Sequence, residues 1–335
     1  MNKRLIAIIV VGSTLICSSA LACSRLLWVN DKATVVGRTM DLYMSDRARV
    51  LVLPRGIVRG GGDGMLSWKS KYASVSLAAL DSAVSDGLNE KGLVANLLYL
   101  HGSRYETRDS RPGVSNMIWA QWLLDNFATV AEAVQAMKSI QIVPTQVGGR
   151  DWPVHISIAD SNGDSAIFEF VNGKLIIDHG PQTLVMTNEP TLEIQLKNLK
   201  RYRLFGGKLA MPGDIDPLSR FVRARSYLKT LPRPTSEEDA IAGAYSVARN
   251  VSVPFGAHDT SGGDSTDAWP TLWASVADTT HRVYYFQSTR SPNVFWLDLG
   301  KVNLIGGAPV LDVDAYDKSL SGDITNRLQP ARIKI

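Results

Sequence analysis

The chain has 335 residues, 45% of them apolar, with 36 Lys and Arg against 32 Asp and Glu. That apolar share is ordinary for a globular protein with a full core, and the length suits one large domain or two. A formal charge of +4 gives no electrostatic reason to expect nucleic acid as a partner.

Residues 1–22 read as a secretory leader. Lys3 and Arg4 open it, Leu5 to Ile16 form a mostly apolar run, and Ala20-Leu21-Ala22 closes it with the A-x-A pattern of a signal-peptidase site. The apolar run, about a dozen residues, is too short to cross a hydrocarbon core of roughly 30 Å as a helix. Cleavage after Ala22 predicts a mature chain of residues 23–335 in the periplasm or outside the cell, with no membrane span. Its formal charge drops to about +2, because Lys3 and Arg4 leave with the leader. Cys17 leaves too, so Cys23 becomes both the N-terminal residue and the single thiol of the mature chain. It cannot form an internal disulfide, and an odd thiol in an oxidising compartment calls for a functional explanation. Acylation of Cys23, making a lipid-anchored secreted binding protein, is the alternative of another class. Lipidation signals usually carry Leu three positions before the Cys, where this chain has Ala20.

Strand signals follow at Ser24 to Val29, Ala33 to Arg38 and Arg49 to Leu53, short runs of β-branched and apolar residues between turn residues. Gly60-Gly61-Gly62-Asp63-Gly64 reads as a loop or hairpin end and lacks the G-x-G-x-x-G arrangement of a dinucleotide site. Ser115 to Asn126 has apolar residues at helical spacing, and Thr129-x-x-Glu132 makes a capping box for a second helix through Met137. Strands return at Val154 to Ala159, Ala166 to Val171 and Lys174 to Asp178, the last pair joined by an Asn172-Gly173 turn. Helices are predicted over Arg220 to Leu231 and from a Thr235-x-x-Glu238 capping box to about Arg249. The closing strands are Leu272 to Ala277, Arg282 to Gln287 and Val294 to Asp298. With no repeat or linker, this order argues for one domain of antiparallel sheet layered with helices.

A cysteine exposed as an N-terminus carries its own base. Thiolate is the nucleophilic form, and the neighbouring α-amine, with an ordinary pKa of roughly 7.7–8.0, can take the thiol proton and return it to a leaving amine. No catalytic histidine is then required. His155 falls in a strand pattern and His101, His179, His258 and His281 in loops, which reads as structural, with no close metal-ligand spacing.

Gly37-Arg38-Thr39-Met40-Asp41, Gly87 to Leu93, Thr187-Asn188-Glu189-Pro190 and Ser219 to Arg223 stand out beside Cys23. They resemble, in that order, the G-R-x-M-D, G-M-N-E-K-G-L, T-N-x-P and S-R-F-V-R segments of the choloylglycine hydrolase family. These are N-terminal-nucleophile hydrolases that include bile salt hydrolases, penicillin V acylases and acyl-homoserine-lactone acylases. Leu272 to Val276 and Tyr284-Tyr285-Phe286 resemble the family's closing strands, so the likeness runs through nearly all of the mature chain. The spacing from Cys23 to Arg38 is one residue shorter than in bile salt hydrolases, and a cleaved leader resembles the Gram-negative acylase branch.

The resemblance implies a four-layer αββα sandwich of the α+β class, a single catalytic domain, no cofactor and no metal, a small-molecule amide as substrate, and a homotetramer. Cys23 would attack the amide carbonyl, Asp41 would hold the α-amine, and Arg38 would favour the thiolate. Asn188 would donate to the oxyanion, and Arg220, rather than Arg223, would be the active-site arginine. The second oxyanion donor falls at Asn96 or Tyr99. Substrate contacts are expected from Trp28, Met40, Asn96 and Met186, with Leu42, Tyr43 and Trp68 as further candidates. The expected activity is that of a secreted penicillin V or acyl-homoserine-lactone acylase, with a conjugated bile salt hydrolase as the alternative.

Overall fold

In the computed structural model, which describes residues 23–257 and 269–331, Cys23–Val29 (β1) and Thr34–Asp41 (β2) form an antiparallel hairpin. The proposed leader and His258 lie outside the described residues. Asn30 makes the turn: its side-chain oxygen accepts the backbone N–H groups of Lys32 (2.9 Å) and Ala33 (3.0 Å), an Asx turn. The hairpin sits inside a seven-stranded sheet. Val185–Thr187 flanks β1, and Thr271–Asp278, Val283–Ser288, Phe295–Asp298 and Gly322–Asp323 continue in that order beyond β2.

A nine-stranded sheet packs against it, running Lys174–His179, Ser165–Val171, Val154–Ala159, Val94–Tyr99, Ala83–Asn89, Ser74–Ala79, Arg49–Leu53, Leu311–Asp314 and Gln329–Pro330. Hydrogen bonds cross between the sheets: Tyr284 donates to Asp86 at 2.8 Å, and Arg38 donates to the Leu97 carbonyl at 2.8 Å. Among the described residues, five α-helices cover the outer faces. Helices α1 (Trp119–Asn126) and α2 (Val130–Ala136) lie on the nine-stranded sheet. Helices α4 (Pro217–Thr230) and α5 (Glu237–Val251) lie on the other, with α3 (Leu192–Leu199) against α4. This is the expected four-layer αββα arrangement.

Because β1 and β2 are covered on both faces, all eight residues of β2 are buried and polarity does not alternate along it. Register does separate its faces. Cys23 pairs with Met40 and Arg25 with Arg38, so these side chains share the inter-sheet face, while Ser24, Thr39 and Asp41 turn toward the helices.

Local readings differ from the structure at several points. Helix α4 begins three residues before Arg220, capped by Asp216, whose side chain accepts the Ser219 N–H at 3.0 Å. Helix α5 is capped by Ser236 rather than Thr235, with the Asp239 N–H donating to the Ser236 hydroxyl at 3.2 Å. The Thr129 box forms, but Glu132 reaches back to the N–H of Ala128 at 2.8 Å. The Gly60–Gly64 run agrees with its reading, forming the end of a hairpin between Val58–Gly60 and Ser67–Lys69. His179 ends a strand instead of lying in a loop. The three strands spanning 74–99 form where no element is expected from the pattern.

Candidate active site

Cys23 opens β1, and four chain segments meet around it. Its backbone N–H donates to Oδ1 of Asn188, which follows the edge strand Val185–Thr187. The other end of that amide donates through Nδ2 to the carbonyl of Tyr99 at 2.8 Å. Arg220, in the second turn of α4, reaches down onto the strand. Its Nη1 donates to the Cys23 carbonyl (2.8 Å) and the Ser24 hydroxyl (2.6 Å), and its Nε to the Ile215 carbonyl (2.8 Å). The Cys23 Sγ lies 3.9 Å from Met40 Sδ and 3.8 Å from the Asp41 carbonyl oxygen.

Asp41 is the buried acid of the group. Its Oδ1 accepts the Thr271 hydroxyl; its Oδ2 accepts no hydrogen bond from the described residues and lies 3.7 Å from Arg220 Nη1. Burial pushes this carboxyl up to about 7, with Arg220 and the Thr271 hydroxyl pulling the other way. Burial likewise lowers the Arg220 guanidinium, against the attraction of Asp41 and Cys23. The Cys23 thiol is raised by burial, and Arg38 is the strongest influence opposing that rise. A thiol so placed keeps its proton at neutral pH until a base removes it.

Beside Cys23 a cleft encloses about 570 Å³ of empty space, its open mouth included. Its floor is apolar, with Met40, Leu42, Ala79, Ala83, Leu97, Met117 and Val154. Tyr99, Trp152 and Trp269 form an aromatic rim, Tyr99 lying edge-on to Trp152 at 6.4 Å and 6.2 Å from Trp269. Tyr43 extends the rim, 5.0 Å from Trp269, and its hydroxyl meets Arg150.

The structure thus gathers Cys23, Arg38, Met40, Asp41, Tyr99, Asn188 and Arg220, places Leu42 in the cleft and sets Tyr43 against its rim. Arg223 is engaged elsewhere, bonding the Asp214 carbonyl and Asn250. Four expected contacts are corrected. Trp28 faces α5, where its ring packs on Gly243. Met186 is buried in the strand beside β1, paired with Arg25. Trp68 is tied into the core by Asp125, at 2.8 Å. Asn96 donates to Asp86 at 2.6 Å in the inter-sheet layer, leaving Tyr99 as the residue of that pair on the cleft. Among the described residues no histidine lines the cleft. His155 bonds Glu169 (3.0 Å), His281 bonds Asp278 (2.8 Å) and Glu237 (3.1 Å), and His179 bonds Asp164 (2.8 Å).

Trp152 and Trp269 escaped the sequence reading, although both precede a proline that leads into a strand. An aromatic held outside the ladder at a strand mouth by a ring that cannot donate is a signal available without a structure. Asp46, buried at the edge of the cleft, carried no such mark.

The architecture is shared with solved structures. The penicillin V acylase of Agrobacterium tumefaciens superposes with a TM-score of 0.83 at 36% identity, covering 93% of this chain and 98% of that one. A mutant of the conjugated bile acid hydrolase of Clostridium perfringens does so with 0.75 at 23% identity, covering 89% and 98%. Layers, site and neighbours define an N-terminal-nucleophile hydrolase fold. Residues 23–320 match the choloylglycine hydrolase family of linear amide C–N hydrolases, and this chain belongs to that family. Penicillin V acylase of Pectobacterium atrosepticum is 36% identical across 99% of this chain and 97% of its own length. A bile salt hydrolase/transferase of Clostridium perfringens is 24% identical across 88% and 97%. The protein is a hydrolase of linear amide C–N bonds. Among the described residues no helix is long and apolar enough to cross a membrane.

Proposed function

We propose that the protein is a secreted penicillin V acylase-type enzyme whose nucleophile is Cys23, freed as an N-terminus by cleavage after Ala22. The observation that carries this reading is the meeting of the Cys23 nitrogen, Asn188, Asp41 and Arg220 at the foot of an apolar, aromatic-rimmed cleft. The freed α-amine takes the proton of the buried thiol, and the thiolate adds to the amide carbonyl. Asp41, whose Oδ2 has no hydrogen-bond partner among the described residues, orients the amine. One Nδ2 hydrogen of Asn188 is engaged by Tyr99, and the other serves the tetrahedral oxyanion, a contact worth about 10²–10³ in rate. The amine then returns the proton to the departing nitrogen. Collapse gives a thioester on Cys23, which water hydrolyses.

A phenoxyacetyl group suits the lining, its ring against Tyr99, Trp152 and Trp269 and its carbonyl at Cys23. The relatives named penicillin V acylase, both 36% identical, support that choice over a bile salt. A second reading, an acyl-homoserine lactone, is favoured by the aliphatic floor below the rim. The test is a panel of penicillin V, a long-chain acyl-homoserine lactone and glycocholate, run on protein whose mass shows an unmodified chain starting at Cys23. Fastest turnover of penicillin V supports the proposal; glycocholate as the preferred substrate, or a diacylglyceryl adduct on Cys23, overturns it.

A further inference from the structure

Arg38 faces the nucleophile from the neighbouring strand, held there by few hydrogen bonds. The guanidinium is buried; its Nη2 donates to the Leu97 carbonyl at 2.8 Å and lies 3.7 Å from Met40 Sδ, while Nε and Nη1 have no hydrogen-bond partner among the described residues. What lies against its plane is the indole of Trp273, with the guanidinium carbon 4.8 Å from the ring centroid. Trp273 is fully buried on the strand beside β2, across from Met40, and packs against Phe286 with the two rings tilted and their centroids 5.5 Å apart. Its indole N–H donates to the Asp46 carboxylate at 2.7 Å. Asp46 is itself buried and held in place by the Tyr316 hydroxyl (2.5 Å) and the Ala48 N–H (3.2 Å).

We propose that Asp46 and Trp273 are positioning residues for the hydrolysis: Asp46 anchors the indole, and the indole holds the Arg38 guanidinium toward Cys23. The inference rests on reading Cys23 as the nucleophile. Its physical basis is twofold. An indole N–H bonded to a carboxylate has a more electron-rich face, which strengthens its hold on a desolvated cation. The same bond fixes the ring's rotation, so the guanidinium has one place to lie. The thiol is acted on by the charges of Arg38, Asp41 and Arg220, and Asp46 reaches it through the ring and Arg38.

Asp46→Asn removes the charge with little change of shape, and Trp273→Phe keeps an aromatic face while removing the N–H. Both are compared with wild type as processed enzyme, using penicillin V turnover and the rate of Cys23 alkylation by iodoacetamide. Expected for each is a fall of about tenfold in kcat with KM within twofold, and a parallel fall in alkylation. The double variant is expected to be no worse than the more impaired single one, because both changes cut one chain of contacts. Two results overturn the proposal: kcat and alkylation within twofold of wild type at unchanged Tm, or a rise in KM alone, which marks a wall of the cleft. If Asp46→Asn does not fold, Trp273→Phe and Tyr316→Phe, which removes a single hydroxyl from Asp46, decide the matter by the same criteria. Cys23→Ala separates the two levels. Activity surviving in that variant overturns the nucleophile itself, whereas a dead Cys23→Ala beside wild-type-like Asp46→Asn and Trp273→Phe overturns the positioning role alone.

Discussion

At the scale of single residues, the two arginines of one α4 turn show how three positions of sequence separate two roles. Arg220 is fully buried and spans the Cys23 carbonyl, Ser24 and Asp41; Arg223, one turn on, is taken up by the Asp214 carbonyl and by Asn250 of α5. Replacing Arg220 by Met leaves Asp41 buried with a weaker counter-charge, so activity is expected to fall at least 100-fold and Tm with it. Arg223→Met is expected to keep kcat/KM within threefold, read from the same progress curves. Cys23→Ala is expected to abolish hydrolysis of every amide the wild type cleaves, and Cys23→Ser to retain at most a trace, because the hydroxyl yields its proton far less readily than a thiol.

At the scale of elements, the family motifs prove to be of two kinds. Gly37 to Asp41, Asn188 and Arg220 converge on Cys23, whereas the Gly87–Leu93 block builds the turn that seats α1. Asn89 accepts the N–H groups of Lys91 and Leu93 (both 3.0 Å) and donates to the carbonyls of Leu124 (2.9 Å) and Phe127 (2.8 Å). At Gly87 a Cβ would meet Leu124 Cδ1 at 2.6 Å and the Val75 carbonyl at 2.7 Å, so α1 lies on the sheet only because no side chain intervenes. Gly87→Ala is expected to cost about 1–3 kcal/mol of stability by urea denaturation, with kcat of the folded fraction unchanged. The layers and the strands at both ends of the chain were legible in the sequence because turn residues punctuate them. The side of each strand that meets the cleft was not. With β1 buried on both faces, an aromatic at position 28 carries the same sequence signal whether it faces α5 or the other sheet, and only register tells them apart. Loop aromatics suffer the opposite blindness, since no periodicity marks them. Trp152→Ala and Trp269→Ala are each expected to raise KM for penicillin V five- to tenfold and to change kcat less, the pattern of lost acyl-group binding.

At the scale of the whole molecule, maturation and electrostatics become one problem. While Ala22 precedes it, the nitrogen of Cys23 is an amide, neutral and unable to act as a base. In that state Asp41 has burial against it, its carboxyl rises to about 7, and its Oδ2 lacks a hydrogen-bond partner among the described residues. The ordinary carboxylate value is roughly 3.9. Between about pH 4 and 7 the folded chain therefore holds a proton on Asp41 that the unfolded chain has released, so stability falls as pH rises through that window. In the proposed maturation, cleavage places an ammonium beside Oδ2. The new charge favours the carboxylate, lowers its pKa toward the ordinary value, and shrinks the window in which folded and unfolded chains differ. Two forms carrying Cys23→Ala, one retaining residues 1–22 and one beginning at residue 23, allow the comparison without turnover. The first is expected to lose Tm steadily between pH 5 and 7.5, the second to lose markedly less, and Asp41→Asn to flatten the first curve, since an amide has no proton to release. Parallel curves for the two forms would show that the Cys23 nitrogen and Asp41 do not sense one another, and would remove the physical reason for tying the base to the cleaved bond.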